Sequence, residues 1–263
     1  MKKILLSLSL LLAFGLANAQ LGSLSFSLGL PQNEFQENTD ATGFGGDLSF
    51  AFPFQKGVPV YFGLDINYMV YGSNRQNLDL AAEIRDGNGA LLASLPIPLR
   101  IVNTNSLFGT HAFVRAMAPF SGVQPYAEAL FGFRYISTST RIEDRSDELR
   151  WAADPDESDL ISRQTVLDDW ILSYGFGGGF FIKVGPSFYI DLRANFFKGQ
   201  RAEYFDGTDT ESWEVTLNDI GTFSDVNDPS IDEIDGENLD LGSRPRESTT
   251  DLLVIKFGVG FKI

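Results

Sequence analysis

Large apolar residues alternate with polar or small residues along most of this chain. In its last segment, DLLVIKFGVGFKI (residues 251–263), one set of alternate positions is large and apolar, and the other set carries two lysines and two glycines. Successive side chains of a β-strand point to opposite faces, so this period of two predicts a strand with one apolar face. We expect that face to meet an apolar environment over the whole segment.

The same alternation predicts eight strands in all. They cover residues 24–30, 44–54, 60–70, 103–117, 125–135, 170–183, 188–197 and the segment from 252 onward. An even number of such strands is typical of a closed, antiparallel, up-and-down transmembrane barrel, so we predict an all-β fold of that kind. A Gly-rich turn in EIRDGNGALLA (residues 83–93) predicts an additional hairpin. This hairpin either projects from the barrel or raises the strand count to ten, and we favour projection.

Short and long connections alternate between the predicted strands. The short ones are residues 55–58, 119–123 and 184–187, and the long ones are residues 31–43, 73–97, 140–167 and 205–250. The long connections contain 27 of the 35 acidic residues and 8 of the 20 basic residues, a formal net charge of −19. Outer-membrane barrels turn tightly on the periplasmic side and carry long loops outside. The pattern therefore predicts acidic extracellular loops and periplasmic termini.

The first 19 residues have the features of a secretory signal peptide. Two lysines stand at positions 2 and 3, an apolar run follows at residues 4–16, and the letters ANA at residues 17–19 fit a cleavage site. A membrane-spanning helix needs about 20 apolar residues, more than this run provides. We therefore predict a signal peptide over residues 1–19 and one barrel domain over residues 20–263, located in the cell outer membrane.

Three segments resemble those of a known group of proteins. They are the closing strand, the first hairpin GLPQNEFQENTDATGFGGDLSF (residues 29–50) and the glycine-rich strand YGFGGGFFIKVG (residues 174–185). They resemble small outer-membrane β-barrel proteins of the OmpA-transmembrane and OmpX kind, and Bacteroidetes-type barrel domains. The resemblance implies that Phe257, Phe261 and Ile263 form a signal for the barrel-assembly machinery, with Ile263 in place of the usual terminal Phe. It implies an architecture and hardly any function.

If the apolar side chains face lipid, the alternate positions line the barrel interior. The interior charges are then the acids Asp47, Asp65, Glu128 and Asp191 and the bases Arg115, Arg134, Lys183, Arg193, Lys256 and Lys262, with His111 in the same phase as Arg115. An eight-stranded barrel is only wide enough for its side chains to fill it, and buried charges are costly unless paired. We therefore predict a structural network of ion pairs that plugs the lumen.

Other chemistry-bearing residues are sparse. The chain has no cysteine, and its single histidine, His111, lies in GTHAFVR. The lipid A deacylase pattern has a Ser two residues after its His, where this chain has Phe113. The acidic stretch DVNDPSIDEIDGENLD (residues 225–240) contains the weak calcium candidates Asp225, Asp228, Asp232, Asp235 and Asp240. Its spacing does not match an EF-hand, and we predict no catalytic residue and no cofactor.

These features favour a non-enzymatic integral outer-membrane protein. We expect a structural or surface-recognition role through the long acidic loops. A narrow pore for small solutes or ions is the alternative, and a lipid-modifying enzyme is less favoured. The expected partners are outer-membrane lipid, the barrel-assembly machinery and an unknown extracellular ligand, and we expect a monomer. The acidic balance argues against nucleic acid, because phosphate binding needs a basic surface.

Overall fold

Eight long strands close into an antiparallel β-barrel. The computed structural model of the chain describes residues 21–39, 41–55, 57–85, 91–145, 160–206, 215–217, 239–241 and 245–262. Its elements are β1 (Leu21–Pro31), α1 (Glu34–Asn38), β2 (Gly43–Pro53), β3 (Val60–Arg85), β4 (Leu91–Met117), β5 (Val123–Asp144), β6 (Leu160–Lys183), β7 (Phe188–Gly199), β8 (Arg201–Tyr204), β9 (Val215–Leu217), β10 (Leu239–Leu241), β11 (Arg246–Thr249) and β12 (Leu252–Lys262). The order around the barrel is β1-β12-β7-β6-β5-β4-β3-β2, and β1 pairs with β12 to close it. The predicted barrel fold is confirmed.

Four barrel strands extend well beyond their predicted bounds, so two of the predicted long loops are partly barrel strand. β3 and β4 cover most of residues 73–97, and β5 and β6 reach into residues 140–144 and 160–167. The predicted long loop at residues 205–250 contains the short strands β9, β10 and β11. The alternation of large apolar residues fades in stretches such as ISTSTRIED (residues 136–144), while the backbone ladder continues. Threonine favours strands whether or not they have an apolar face. The apolar pattern thus marks only part of each strand.

The additional hairpin projects from the barrel, as predicted. The pairing of β2 with β3 stops at Phe44 opposite Val70, whereas β3 and β4 stay paired as far as Arg85 opposite Leu91. A register shift lies between Val70 and Gly72, just beyond the last β2 partner of β3, and β4 stays paired with β5 as far as Leu99 opposite Asp144. The hairpin continues two barrel strands and adds none to the closed sheet, which has eight strands rather than ten.

The barrel strands expose large apolar side chains on the outside and enclose charged side chains together with apolar ones such as Leu130 and Phe181. In β12, Ile255, Phe257 and Val259 are 43–62% exposed, whereas Lys256 is 1% exposed. Exposed large hydrophobic side chains occur on all eight barrel strands, including Leu24, Phe44, Phe62, Val114, Phe131, Phe176, Phe188 and Phe257. The period of two thus sends one apolar face outward and collects the opposite side chains in one interior.

A small aromatic cap covers the barrel end that carries the long connections. The ring of Phe35, in the five-residue helix α1, is 1% exposed and contacts Tyr71 and Tyr204 at centroid distances of 6.2 and 4.9 Å. Thr249 of β11 donates its backbone N–H and its hydroxyl to the Glu34 carboxylate at 3.1 and 3.2 Å. These hydrogen bonds lower the pKa of Glu34 from its ordinary value of 4.5. None of the described helical residues forms a helix long and apolar enough to span a membrane.

Candidate functional site

Seven charged side chains fill the middle of the barrel interior. They are Asp47, Asp65, Arg115, Glu128, Asp191, Arg193 and Lys256, and each is at most 4% exposed. We refer to these seven residues as the lumen cluster. Four of them are acids and three are bases. Burial of so many charges is tolerable only if they are paired and hydrogen-bonded.

The sheet register brings these residues together from distant parts of the chain. Arg115 on β4 lies directly opposite Glu128 on β5, and Lys256 on β12 lies directly opposite Arg193 on β7. Asp191 stands two residues before Arg193 on the same strand, so both side chains point inward. Adjacent strands and a period of two therefore assemble the cluster.

Arg193 is the centre of the lumen cluster. Its guanidinium donates to Asp65 at 2.7 Å and to Asp191 at 2.6 Å. Oxygens of Asp47 and Glu128 lie 3.9 and 3.8 Å from its nitrogens. A guanidinium presents five N–H donors in a fixed fork, which suits it to hold several carboxylates at once. One arginine thereby ties together acids from β2, β3, β5 and β7.

Two further bases complete the ion-pair network of the lumen cluster. The Lys256 ammonium donates to Asp47 at 2.6 Å and to Asp65 at 2.7 Å, so it bridges β2 and β3 from β12. Arg115 places Nε and Nη2 at 2.8 and 2.7 Å from the same Glu128 oxygen. Each carboxylate of the lumen cluster thus has at least one basic partner at 2.8 Å or less.

Neutral side chains around the cluster were not predicted from the sequence. Tyr126 donates its hydroxyl to Asp191 at 2.6 Å and accepts a hydrogen bond from Arg193 at 3.0 Å. The neutral residues that hydrogen-bond to the cluster in a similar way are Asn195, Ser23 and Ser49. The alternation of their strands signals their inward phase. Residue type alone does not reveal that a serine or tyrosine joins a charged network.

Three predicted interior bases lie outside the lumen cluster. Lys183 and Lys262 are exposed at the ends of β6 and β12, where strand phase no longer means burial. Arg134 is 1% exposed, yet none of its three guanidinium nitrogens has a hydrogen-bond partner within the described part of the chain. The inward phase of Arg134 is correct, but the predicted ion pairing is wrong for it. The register places Arg134 opposite Gly109, which has no side chain to offer.

His111 is buried in the interior, in the phase predicted for it. It is 2% exposed, and its Nε2 lies 2.7 Å from the hydroxyl of Ser173, which is 0% exposed. The ring also packs on Phe197 at a centroid distance of 4.6 Å. Histidine beside a serine hydroxyl is a pairing that activates nucleophiles in hydrolases. In this chain both side chains are enclosed by the barrel wall, away from the surface.

The predicted assembly signal and calcium candidates are described only in part. Phe257 is 62% exposed on the outer face of β12, and Phe261 shares that face. Some of the residues predicted above lie outside the described ranges. They are Ile263, Asp225, Asp228, Asp232, Asp235 and the predicted signal peptide. The backbone of Asp240 lies in β10. Within the described ranges, no group of three or more acidic, histidine or cysteine residues could hold a metal ion.

Aromatic rings fill the interior between the lumen cluster and the short turns. The Tyr126 ring contacts Phe181 at 5.2 Å, and Phe181 contacts Tyr189 at 5.8 Å between ring centroids. The Arg115 guanidinium lies 4.3 Å from the Tyr126 ring centroid, a cation–π contact. Charges and rings together are packed in the interior and connect opposite sides of the barrel.

Comparisons with known proteins identify solved structures that this chain is similar to, and they identify no family. No protein-family model and no curated protein matches the chain. The chain is similar to the crystal structure of Ail, the attachment invasion locus protein of Yersinia pestis, at a TM-score of 0.41 and 9% identity, covering 93% of this chain and 99% of that one. It is similar to the N-terminal β-barrel domain of Pseudomonas aeruginosa OprF at 0.35 and 11%, covering 93% and 98%. A major outer membrane protein from Thermus thermophilus matches at 0.41 and 13%, covering 92% and 99%. With TM-scores this low, the assignment of the fold rests on the chain's own closed sheet.

Proposed function

We propose that this chain is a non-enzymatic, integral outer-membrane β-barrel that serves a structural or surface-recognition role through its long acidic loops. One observation carries the proposal. A closed barrel exposes large apolar side chains on all eight strands while it encloses an ion-paired charged interior. That arrangement is inside-out relative to a water-soluble protein, and it matches a barrel solvated by hydrocarbon.

The size of the apolar belt supports a membrane environment. Phe26, Phe131 and Phe176 on three different strands are 55–67% exposed. Water-soluble monomers rarely expose contiguous apolar patches larger than a few hundred Å², because such patches drive association. The rings of Trp170 and Tyr135 lie 4.9 Å apart. Barrels of this class carry girdles of aromatic residues at the membrane surface, and we assign this pair to such a girdle.

The lumen supports a plug rather than a pore. Arg193 and Lys256 draw acids from several strands into the barrel centre at 2.6–2.7 Å. Steady conduction would require a continuous water-filled path through these ion pairs. The same packing encloses His111 and Ser173, which argues against a lipid-modifying reaction at that pair.

The loops carry the recognition part of the proposal. The connections named above hold most of the acidic residues, whereas the barrel wall is apolar outside and neutralised inside. A monomeric barrel with periplasmic termini would display this acidic surface to the exterior. Its partners would be outer-membrane lipid, the assembly machinery and a ligand that tolerates or prefers negative charge.

Fractionation and surface labelling test this proposal. The mature protein should separate with outer membranes, resist carbonate extraction and migrate faster on a detergent gel before boiling than after it. An epitope inserted within residues 218–238 should be labelled by antibody on intact cells, whereas the same epitope in the turn at residues 184–187 should be labelled only after permeabilisation. Recovery of the protein in the soluble fraction, or the reverse labelling pattern, would contradict the proposal.

A further inference from the structure

We infer that the barrel interior contains a binding site for a small monovalent anion, such as chloride, at the guanidinium of Arg134. The site is a small cavity of about 10 Å³. Its walls include Asn67, His111, Arg134 and Lys256. A volume of this order has room for about one water-sized particle. The inference is independent of the role proposed for the loops.

Arg134 carries a buried positive charge that needs a hydrogen-bonded partner. Its side chain is 1% exposed, and its Nε, Nη1 and Nη2 atoms lack hydrogen-bond partners in the part of the chain that the structure describes. A buried, ionised group is very costly unless it is paired and hydrogen-bonded. An arginine does not escape this cost by losing its proton, because it stays charged in proteins. An anion that accepts several of its N–H donors removes the cost.

The strands on either side of β5 place no polar side chain directly opposite Arg134. Its cross-strand neighbours are Gly109 on β4 and Ile171 on β6. Phe197 places its ring centroid 5.7 Å from the guanidinium carbon, which screens one side with an aromatic face. The absence of a side chain at Gly199 leaves room for the guanidinium and the Thr250 hydroxyl, both of which a Cβ there would overlap.

The carboxylate whose charge acts on Arg134 makes no hydrogen bond to it and accepts hydrogen bonds from two other groups. This residue is Asp251. Its Oδ2 accepts a hydrogen bond from the Asn33 side chain at 2.7 Å, and its Oδ1 accepts one from the Gly199 backbone at 3.3 Å. Asp251 therefore attracts the guanidinium from a distance, and the N–H donors of Arg134 remain available to a ligand.

The cavity lining fixes the sign of the ligand. The described residues that line the cavity include Arg134 and Lys256 and no carboxylate. The ammonium of Lys256 is already paired with Asp47 and Asp65 at 2.6 and 2.7 Å, so Arg134 supplies the unpaired charge. A guanidinium without a hydrogen-bond partner among the described residues, in a lining without an acid, favours an anion over a cation. The small volume restricts the ligand to a monatomic or comparably small anion.

The direct test is anomalous diffraction from the wild-type barrel. The protein is unfolded in urea, refolded into detergent in sodium bromide so that the interior closes in the presence of the ion, and crystallised in the same salt. We expect an anomalous bromide peak within hydrogen-bonding range of the Arg134 guanidinium. Density at that position without an anomalous signal would mean that water alone occupies the cavity, and it would overturn the inference.

Thermal unfolding provides a second test with a matched control. A ligand that binds only the folded state raises stability with its concentration, so a tenfold rise in bromide above its Kd should raise the Tm of the wild type by roughly 3–6 °C over sodium gluconate of equal strength. Arg134→Met should abolish this difference. Arg201→Met, which alters an exposed arginine of β8, should retain it. An unchanged bromide effect in Arg134→Met would contradict the site. If that variant does not fold, Arg134→Gln replaces it and the diffraction result decides.

Discussion

The lysine on the closing strand gives the sharpest test of the lumen cluster. Lys256→Met removes the ammonium while keeping a side chain of similar length, so little packing is lost. In the native barrel that ammonium donates to Asp47 at 2.6 Å and to Asp65 at 2.7 Å. The variant therefore leaves two buried carboxylates with fewer partners than they have in the native barrel.

The two carboxylates differ in the basic partner that each retains in the variant. Asp65 keeps Arg193 at 2.7 Å, whereas the nearest Arg193 nitrogen is 3.9 Å from Asp47, too far for a hydrogen bond. Asp47 thus becomes a buried charge without a hydrogen-bonded partner. Removing one member of a buried ion pair costs about 3–5 kcal/mol. We expect Lys256→Met to lower the free energy of unfolding by about that amount, with most of the loss due to Asp47.

A rescue variant separates the stranded charge from any loss of packing. Asp47→Asn in the Lys256→Met background removes the uncompensated charge, so it should restore at least about half of the lost stability. Lys262→Met, six residues further along β12 and exposed, is the matched control and should change stability by no more than about 0.5 kcal/mol. The measurement is urea unfolding of the purified barrel in liposomes, followed by tryptophan fluorescence and gel mobility.

Two outcomes would refute this reasoning. The first is a Lys256→Met barrel whose free energy of unfolding lies within about 0.5 kcal/mol of the wild type, the range of a neutral surface substitution. The second is a double variant that is no more stable than Lys256→Met alone, since the cost would then come from packing and not from the charge of Asp47.

Three further predictions concern the lipid face, the cap and the lumen. Phe257→Asp, in the middle of β12, should lower stability in liposomes by up to about 2 kcal/mol and by more than Phe261→Asp near its end, whereas Phe261→Asp should mainly reduce folded protein in cells. Because the pKa of Glu34 is lowered, its bonds to Thr249 should stabilise the cap above pH 4.5 and fail as pH falls through the lowered pKa. NMR titration should detect this, and Glu34→Gln should abolish it. In planar bilayers the wild type should show no steady conductance; a large, ion-selective conductance would favour a pore.

The strands and their faces were predictable because they depend on local alternation. Side chains along each strand alternate with a period of two. The phase of this alternation determines which side chains face outward, as Phe257 does, and which face inward, as Lys256 does. The outer ends of β5 and β6 were missed because polar residues, chiefly Ser and Thr in β5 and Arg, Gln and Asp in β6, interrupt the alternation of large apolar residues while the ladder continues. The backbone hydrogen bonds that continue these strands leave no mark in the pattern of side chains.

The partners inside the barrel were less predictable, because they depend on register between strands. Arg115 and Arg134 share the inward phase, yet their surroundings differ. The register places Arg115 opposite Glu128, where the two side chains form an ion pair, and it places Arg134 opposite Gly109, where no side chain is available. A shift of two residues between β4 and β5 would preserve every phase and change both neighbours. Away from the strand ends, phase determines whether a charge is buried. Register determines whether that charge finds a partner within the chain or, as we infer for Arg134, in a bound anion.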